Sequence, residues 1–157
     1  MKPILQVALD FVDLKRAIKL AEEAVAGGAD WIEAGTPLIK SEGLNCIREL
    51  RKKFPYIKIV ADMKTADVGR TEVEIAAKAG ANIVSVLGTS DDETIKESVS
   101  AARNYGAEIM VDLLGVSDVV KRAKEIEKLG ANYIDVHIPI DEQMKGKISF
   151  DIVKKVF

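Results

Sequence analysis

Asp62, Lys64 and Asp67 stand in the order D-x-K-x-x-D directly after an apolar run at residues 57–61. If that run is a strand, period-two alternation puts Asp62 and Lys64 on one face. An ammonium beside carboxylates stays charged and fixed, a state suited to stabilising an oxyanion or delivering a proton. Other apolar runs end on titratable groups too: Asp10, Glu33, Asp112, and Asp135 with His137. Glu33 and Asp62, on what would be neighbouring strands, offer the hard oxygens that suit Mg2+. His137, the sole histidine, has an unperturbed pKa suited to proton transfer near neutral pH. Plainer roles are open to each. Asp10 could cap a turn, Glu33 and Lys64 could pair across a barrel mouth, and Asp67 could be a loop residue before Gly69. Asp112 could be a turn acceptor and His137 a structural strand-end residue.

The elements that would position these groups follow a repeat. The junctions Gly28-Ala29-Asp30, Gly80-Ala81-Asn82, Gly106-Ala107-Glu108 and Gly130-Ala131-Asn132 lie 52, 26 and 24 residues apart. With a Pro55 break midway through the first interval, the unit is about 25 residues. Each unit reads as a strand followed by a helix. Strands are predicted near 4–10, 30–35, 57–63, 82–87, 107–113 and 132–137. Leu14, Ile18, Ala21 and Val25 share a helical face behind Asp13 as N-cap. Ser90-Asp91-Asp92-Glu93 has capping-box spacing ahead of Ile95, Val99 and Ala102, and Ser117 is placed to cap the helix carrying Val119, Ala123 and Ile126.

Strands separated by helices imply parallel pairing through right-handed crossovers. A doubly wound open sheet and a (β/α)8 barrel both satisfy that pattern. A barrel needs eight strands and typically about 250 residues. Here a last helix begins near Ser149 and stops at Phe157 with neither a capping Gly nor a following strand, so the end reads as cut. In either fold the site forms at the carboxyl ends of the strands, where these polar residues cluster.

Composition narrows the classes. The 157 residues fit one domain, 1–157, and 48% hydrophobic residues can fill its core. A net charge of −2 with mixed signs shows no nucleic-acid footprint. No apolar run approaches a membrane span and the N-terminus shows no secretion signal, so a cytoplasmic protein is expected. One Cys and one His exclude a thiolate or imidazole zinc cluster. Cys46 reads as inert, Trp31 as packing, and residues 121–128 as the solvated face of a helix. Isolated Gly88 and Gly115 are weak signs of a phosphate cradle.

The segments LQVALD at 5–10, IEAGTPLI at 32–39, ADMKTADVG at 61–69 and VHIPIDEQ at 136–143 together resemble the 3-hexulose-6-phosphate synthases of the orotidine 5′-monophosphate decarboxylase superfamily. The resemblance implies a (β/α)8 TIM barrel, here about six βα units of it. It also implies Mg2+-dependent aldol condensation of formaldehyde with D-ribulose 5-phosphate to D-arabino-3-hexulose 6-phosphate, or the reverse. By the same resemblance Glu33 and Asp62 bind Mg2+, and Lys64 stabilises the enediolate oxygen. His137 moves the proton at the reacting carbon. Asp10 holds Lys64 and substrate hydroxyls, Asp112 and Asp141 bind substrate, and Asp67 reaches across a homodimer interface into the neighbouring site.

The chain departs from the pattern in three places. The sister 3-keto-L-gulonate-6-phosphate decarboxylases carry arginines just after the position of His137, where this chain has Ile138 and Ile140. Pro139 stands where synthases usually have Gly. Strands seven and eight, whose loops supply most of the phosphate grip in this superfamily, are not among the 157 residues. A shortened synthase, active or surviving as an inactive scaffold, is the resulting expectation.

Overall fold

A computed structural model describes residues 3–146 and 151–156. Six parallel strands lie side by side in chain order: β1 Gln6–Leu9, β2 Trp31–Ala34, β3 Lys58–Thr65, β4 Ile83–Leu87, β5 Glu108–Asp112 and β6 Tyr133–Asp135. The helices are α1 Leu14–Ala26, α2 Thr36–Glu42, α3 Asn45–Lys53, α4 Gly69–Ala79, α5 Asp92–Tyr105, α6 Val119–Leu129, α7 Ile140–Gln143 and α8 Asp151–Val156. Every predicted strand is present. The helix start expected near Ser149 lies outside the described residues.

Contacts across the inner face decide between open sheet and barrel. Trp31 of β2 meets Tyr133 of β6 edge to face, with ring centroids 5.4 Å apart. Lys58 of β3 reaches over β4 to Glu108 of β5 at 2.7 Å, and the Tyr133 hydroxyl donates to the same carboxylate. Side chains from strands that are not neighbours touch because the sheet curls, so the chain forms a half-barrel with β1 and β6 at its edges.

The outer rows supply the core. Ile32, Ile59, Val84 and Ile109 are fully buried against small or aliphatic helix residues such as Ala17, Ala21, Ala76, Ala102 and Ile126. Each large side chain removed from water stabilises by about 1.5–3 kcal/mol before packing is counted. The small residues let the helices sit close to the strands.

The repeated Gly-Ala-Asx junction turns out to be a strand clamp. Asn82 donates its backbone N–H to the Ile59 carbonyl at 2.8 Å and accepts the Ile59 N–H on Oδ1 at 2.9 Å. Asn132 does the same to Ile109, at 3.0 and 2.9 Å. Asp30 does so to Leu5, at 2.9 Å for both bonds. A short side chain with an acceptor oxygen thus ties the mouth of one strand to the start of the preceding one. At Glu108 the pattern breaks, because its side chain faces inward to Lys58. The Gly of each junction ends a helix with positive φ, 113° at Gly80 and 92° at Gly130, a region open to glycine without strain. Arg51 locks this end further: its guanidinium donates to the carbonyls of Gly80, Phe54, Pro55 and Ile57 and to Asn82 Oδ1.

Asp13 caps α1, accepting the Arg16 N–H at 2.7 Å. The other two caps differ from expectation. At α5 the cap position is Asp91, without a side-chain bond, because Ser90 turns its hydroxyl to the Thr65 carbonyl at 3.1 Å. At α6 Asp118, one residue beyond Ser117, accepts the Lys121 N–H. Cys46 is buried, and burial pushes its thiol up to about 11. No helix among the described residues is long and apolar enough to cross a membrane.

Replacing Asn82 with Ala leaves the Ile59 N–H without an acceptor and removes one partner of Arg51. A loss of about 1–3 kcal/mol is expected, read as a lowered urea midpoint at unchanged m-value.

Candidate active site

The carboxyl ends of β3, β5 and β6 meet on one buried carboxylate. Asp112 ends β5 with no exposed surface. Its Oδ2 accepts from Lys64 Nζ at 2.7 Å and faces His137 Nδ1 at 3.1 Å, while Oδ1 accepts the Leu114 N–H at 2.8 Å. The same side chain therefore accepts within the turn after β5 and holds Lys64 and His137. Lys64 reaches Asp112 because β3 is irregular. Its backbone is left-handed, φ 47°, and the β3–β4 register slips between Ala61 and Thr65. The ammonium also contacts both oxygens of Asp62, at 3.1 and 3.2 Å. Asp62 in turn accepts Ser85 Oγ on Oδ1 at 2.8 Å and Thr36 Oγ1 on Oδ2 at 2.6 Å.

These contacts set the charges. Burial works against the Lys64 ammonium, but the hydrogen bond to Asp112 and the charges of Asp62 and Asp112 outweigh it, so its pKa rises. Burial likewise opposes the Asp112 carboxylate, and its bonds from His137, Lys64 and the Leu114 N–H pull its pKa below the usual range. His137 is lifted to about 10, first by Asp112 and then by Asp135, whose Oδ2 lies 3.8 Å from Nδ1. The imidazole is therefore charged at neutral pH, unlike the freely titrating group its residue type suggests. Glu33 has the opposite problem. Burial first, then the charges of Asp62, Asp135 and Asp10, push it up to about 7, although Gln6 donates to it at 2.5 Å.

A cavity of about 520 Å³ opens above this network, a size suited to a small metabolite. Asp10, Thr36, Asp62, Lys64, His137 and Asp141 line it, together with Leu114, Pro139 and Ile140. Gly35 makes room for Asp10: a Cβ there would collide with the Asp10 carboxylate. The Asp10 carboxylate makes no hydrogen bond among the described residues, and the partners of the Lys64 ammonium are Asp62 and Asp112 rather than Asp10 or Glu33. Asp112 lies beneath the lining and holds the groups that face the cavity. Asp67 sits elsewhere, exposed in a shallow depression with Gly69, Arg70 and Glu97, its Oδ1 accepting the Val68 N–H. Asp112, Asp135 and His137 place ligand atoms within 4.8 Å of one another, but that trio is knit by a protonated imidazole. Thr36 and Ser85 were not singled out from the sequence. Thr36 lay within the IEAGTPLI motif, whereas Ser85 gave no signal.

Residues 3–154 match the profile of the orotidine 5′-phosphate decarboxylase / HUMPS family. The chain belongs to that family. It is 45% identical over 147 residues to the 3-hexulose-6-phosphate synthase of Bacillus subtilis (strain 168), covering 94% of this chain and 70% of that protein. It is 46% identical over 141 residues to the synthase of Mycobacterium gastri, covering 90% and 68%. A crystal structure of 3-hexulose-6-phosphate synthase superposes with a TM-score of 0.93 at 42% identity, over 98% of this chain and 76% of that one. The 3-keto-L-gulonate-6-phosphate decarboxylase of Vibrio cholerae matches at 0.88 and 31%, over 99% and 72%. The chain thus spans about 70% of the length of the curated relatives.

Because the chain has a single histidine, its NMR titration is unambiguous. His137 should titrate near pH 10, and Asp112→Asn should bring it down by more than one unit. Its folded pKa exceeds the unfolded value near 6.5, so the stabilisation from its charge is complete below pH 6.5 and is lost as pH rises through about 10. A titration near 6.5 in the unaltered chain would contradict the clamp.

Proposed function

We propose that the chain condenses formaldehyde with D-ribulose 5-phosphate to D-arabino-3-hexulose 6-phosphate, or catalyses the reverse cleavage, with Mg2+ as cofactor. The observation that carries this reading is the Lys64 ammonium, held between Asp62 and Asp112 at the cavity floor beside a clamped His137. The names of the curated synthases support it.

Glu33 and Asp62 would hold the ion, with hard oxygens of the type Mg2+ takes. The fit is electrostatic: Glu33 is a half-buried carboxylate near three other carboxylates, and a divalent cation would relieve that repulsion. When bound, Mg2+ supplies Lewis-acid stabilisation of negative charge on substrate oxygens. Lys64 then offers its ammonium to the oxygen that becomes negative when a proton leaves the carbon beside the carbonyl. Because Nδ1 of His137 faces Asp112, Nε2 is the atom left toward the reacting carbon: as an imidazolium it would return a proton to that carbon in the cleavage direction, and it must first lose its own proton to take one in condensation. Asp10 and Asp141, which line the cavity, would bind hydroxyls, and Leu114, Pro139 and Ile140 would give an apolar wall against which the aldehyde is oriented.

That same wall supports formaldehyde addition over decarboxylation of a sugar acid, since among the described residues no arginine lines the cavity to meet a carboxylate. In this reading the protein is a cytoplasmic homodimer and Asp67, exposed and outside its own cavity, completes the site of the neighbouring copy.

The test is condensation by the purified chain. Activity should require Mg2+ and fall about 100- to 1,000-fold in Lys64→Ala, the loss typical of one oxyanion donor. Near-normal turnover in that variant removes its assigned role, and a folded but inactive chain supports an inert scaffold instead. Protons compete with the ion for Glu33, so below pH 7 apparent Mg2+ affinity should drop about tenfold per pH unit. Glu33→Gln should raise the Mg2+ needed at every pH; an unchanged requirement excludes it as a ligand.

A further inference from the structure

Ser85 of β4 sits where the β3–β4 ladder slips. Ala61 pairs with Val84 and Thr65 with Val86, so Asp62, Met63 and Lys64 have no partner on β4. A buried N–H released from a ladder needs another acceptor. The Lys64 N–H finds it in Ser85 Oγ at 2.9 Å, and Ser85 donates its own hydrogen to Asp62 Oδ1 at 2.8 Å. The directions are forced, since an amide can only donate and the ionised carboxylate can only accept. Ser85 is 3% exposed, so water is poorly placed to replace it.

This hydroxyl therefore ties together two things that the site needs. One is the left-handed backbone of Lys64, φ 47°, a conformation a lysine adopts only when its surroundings impose it. The other is the orientation of the Asp62 carboxylate, which contacts the Lys64 ammonium with both oxygens. Bulges next to active sites re-aim side chains. Here Lys64 lies within the irregular stretch, and its Nζ spans from Asp62 to Asp112.

We propose that Ser85 is a positioning residue that holds the β3 bulge and thereby sets the Lys64 ammonium between its two carboxylates. Ser85 does not line the cavity and has no expected contact with substrate. Only the kinetic consequence rests on the aldol reading above; the backbone claim stands on its own.

Ser85→Ala and Ser85→Thr are compared with the unaltered chain in two assays: steady-state condensation at saturating Mg2+, and amide hydrogen exchange by NMR. Ser85→Ala should lower kcat about 10- to 100-fold, the scale of a misplaced group, with KM within about twofold. It should also speed exchange at the Lys64 amide about tenfold or more relative to the amides of Val84 and Val86. Ser85→Thr keeps the hydroxyl and should recover most of both. Unchanged kcat in the alanine variant overturns the proposal. So does a fall in kcat with unchanged Lys64 exchange, or exchange that speeds equally at Val84 and Val86, which is general loosening. If the unaltered chain does not turn over the sugar phosphate, the aldol reading fails. The exchange assay then decides alone, with selective loss of Lys64 protection as the supporting result and none as the overturning one.

Discussion

Asp112 is a carboxylate with no access to water, and a lone charge in that position costs several kcal/mol. The carboxyl end of the half-barrel is arranged so that this charge is never alone. β3 delivers Lys64 to one side of it, β6 delivers His137 to the same oxygen, and the turn after β5 donates the Leu114 N–H to the other oxygen. Each cation is held charged in return. The irregularity of β3 and the upward shift of His137 follow from the one constraint. Glu33 remains as a half-buried carboxylate with no cation among its described partners, raised by its neighbouring carboxylates.

The two faces of the sheet divide the work. The outer rows are aliphatic and bury against the helices, while Asp30, Asn82 and Asn132 clamp successive strand mouths at the amino end. The inner rows mix polar residues with apolar ones such as Val60 and Ile83, and their charged groups meet across the curl, through Lys58 with Glu108 at the amino end and through the Asp112 cluster at the carboxyl end. Stability is thus concentrated away from the mouth of the cavity. There the backbone can hold disfavoured geometry, with Lys64 and the β-branched Val68 both at positive φ.

Much of this was legible in the sequence because it is local. Strand–helix alternation follows from apolar period and glycine stops, and every predicted strand is present. Residue type and spacing in the D-x-K-x-x-D segment foretold the contact of Asp62 with Lys64, whereas Asp67 lies apart from it. Barrel curvature was not legible in the alternation, which an open sheet shares; it was implied by the resemblance of four segments, and contacts such as Trp31 with Tyr133 show it. The pairing of charges was hidden for the same reason. Asp112 lies 48 residues from Lys64 and 25 from His137 in the chain, so no local pattern links them. The Ser90 cap failed because a long-range acceptor, the Thr65 carbonyl, competed for its hydroxyl.

The account stands on Asp112 being ionised at all ordinary pH values despite its burial. Carbon-13 NMR of its side-chain carboxyl carbon against pH reads that state directly. The clamp predicts that the Asp112 signal stays in its ionised position while exposed aspartates protonate, and changes only at still lower pH. Protonation at or above the ordinary aspartate range would mean that burial dominates, that the two cations do not converge on it, and that the site is not assembled as described.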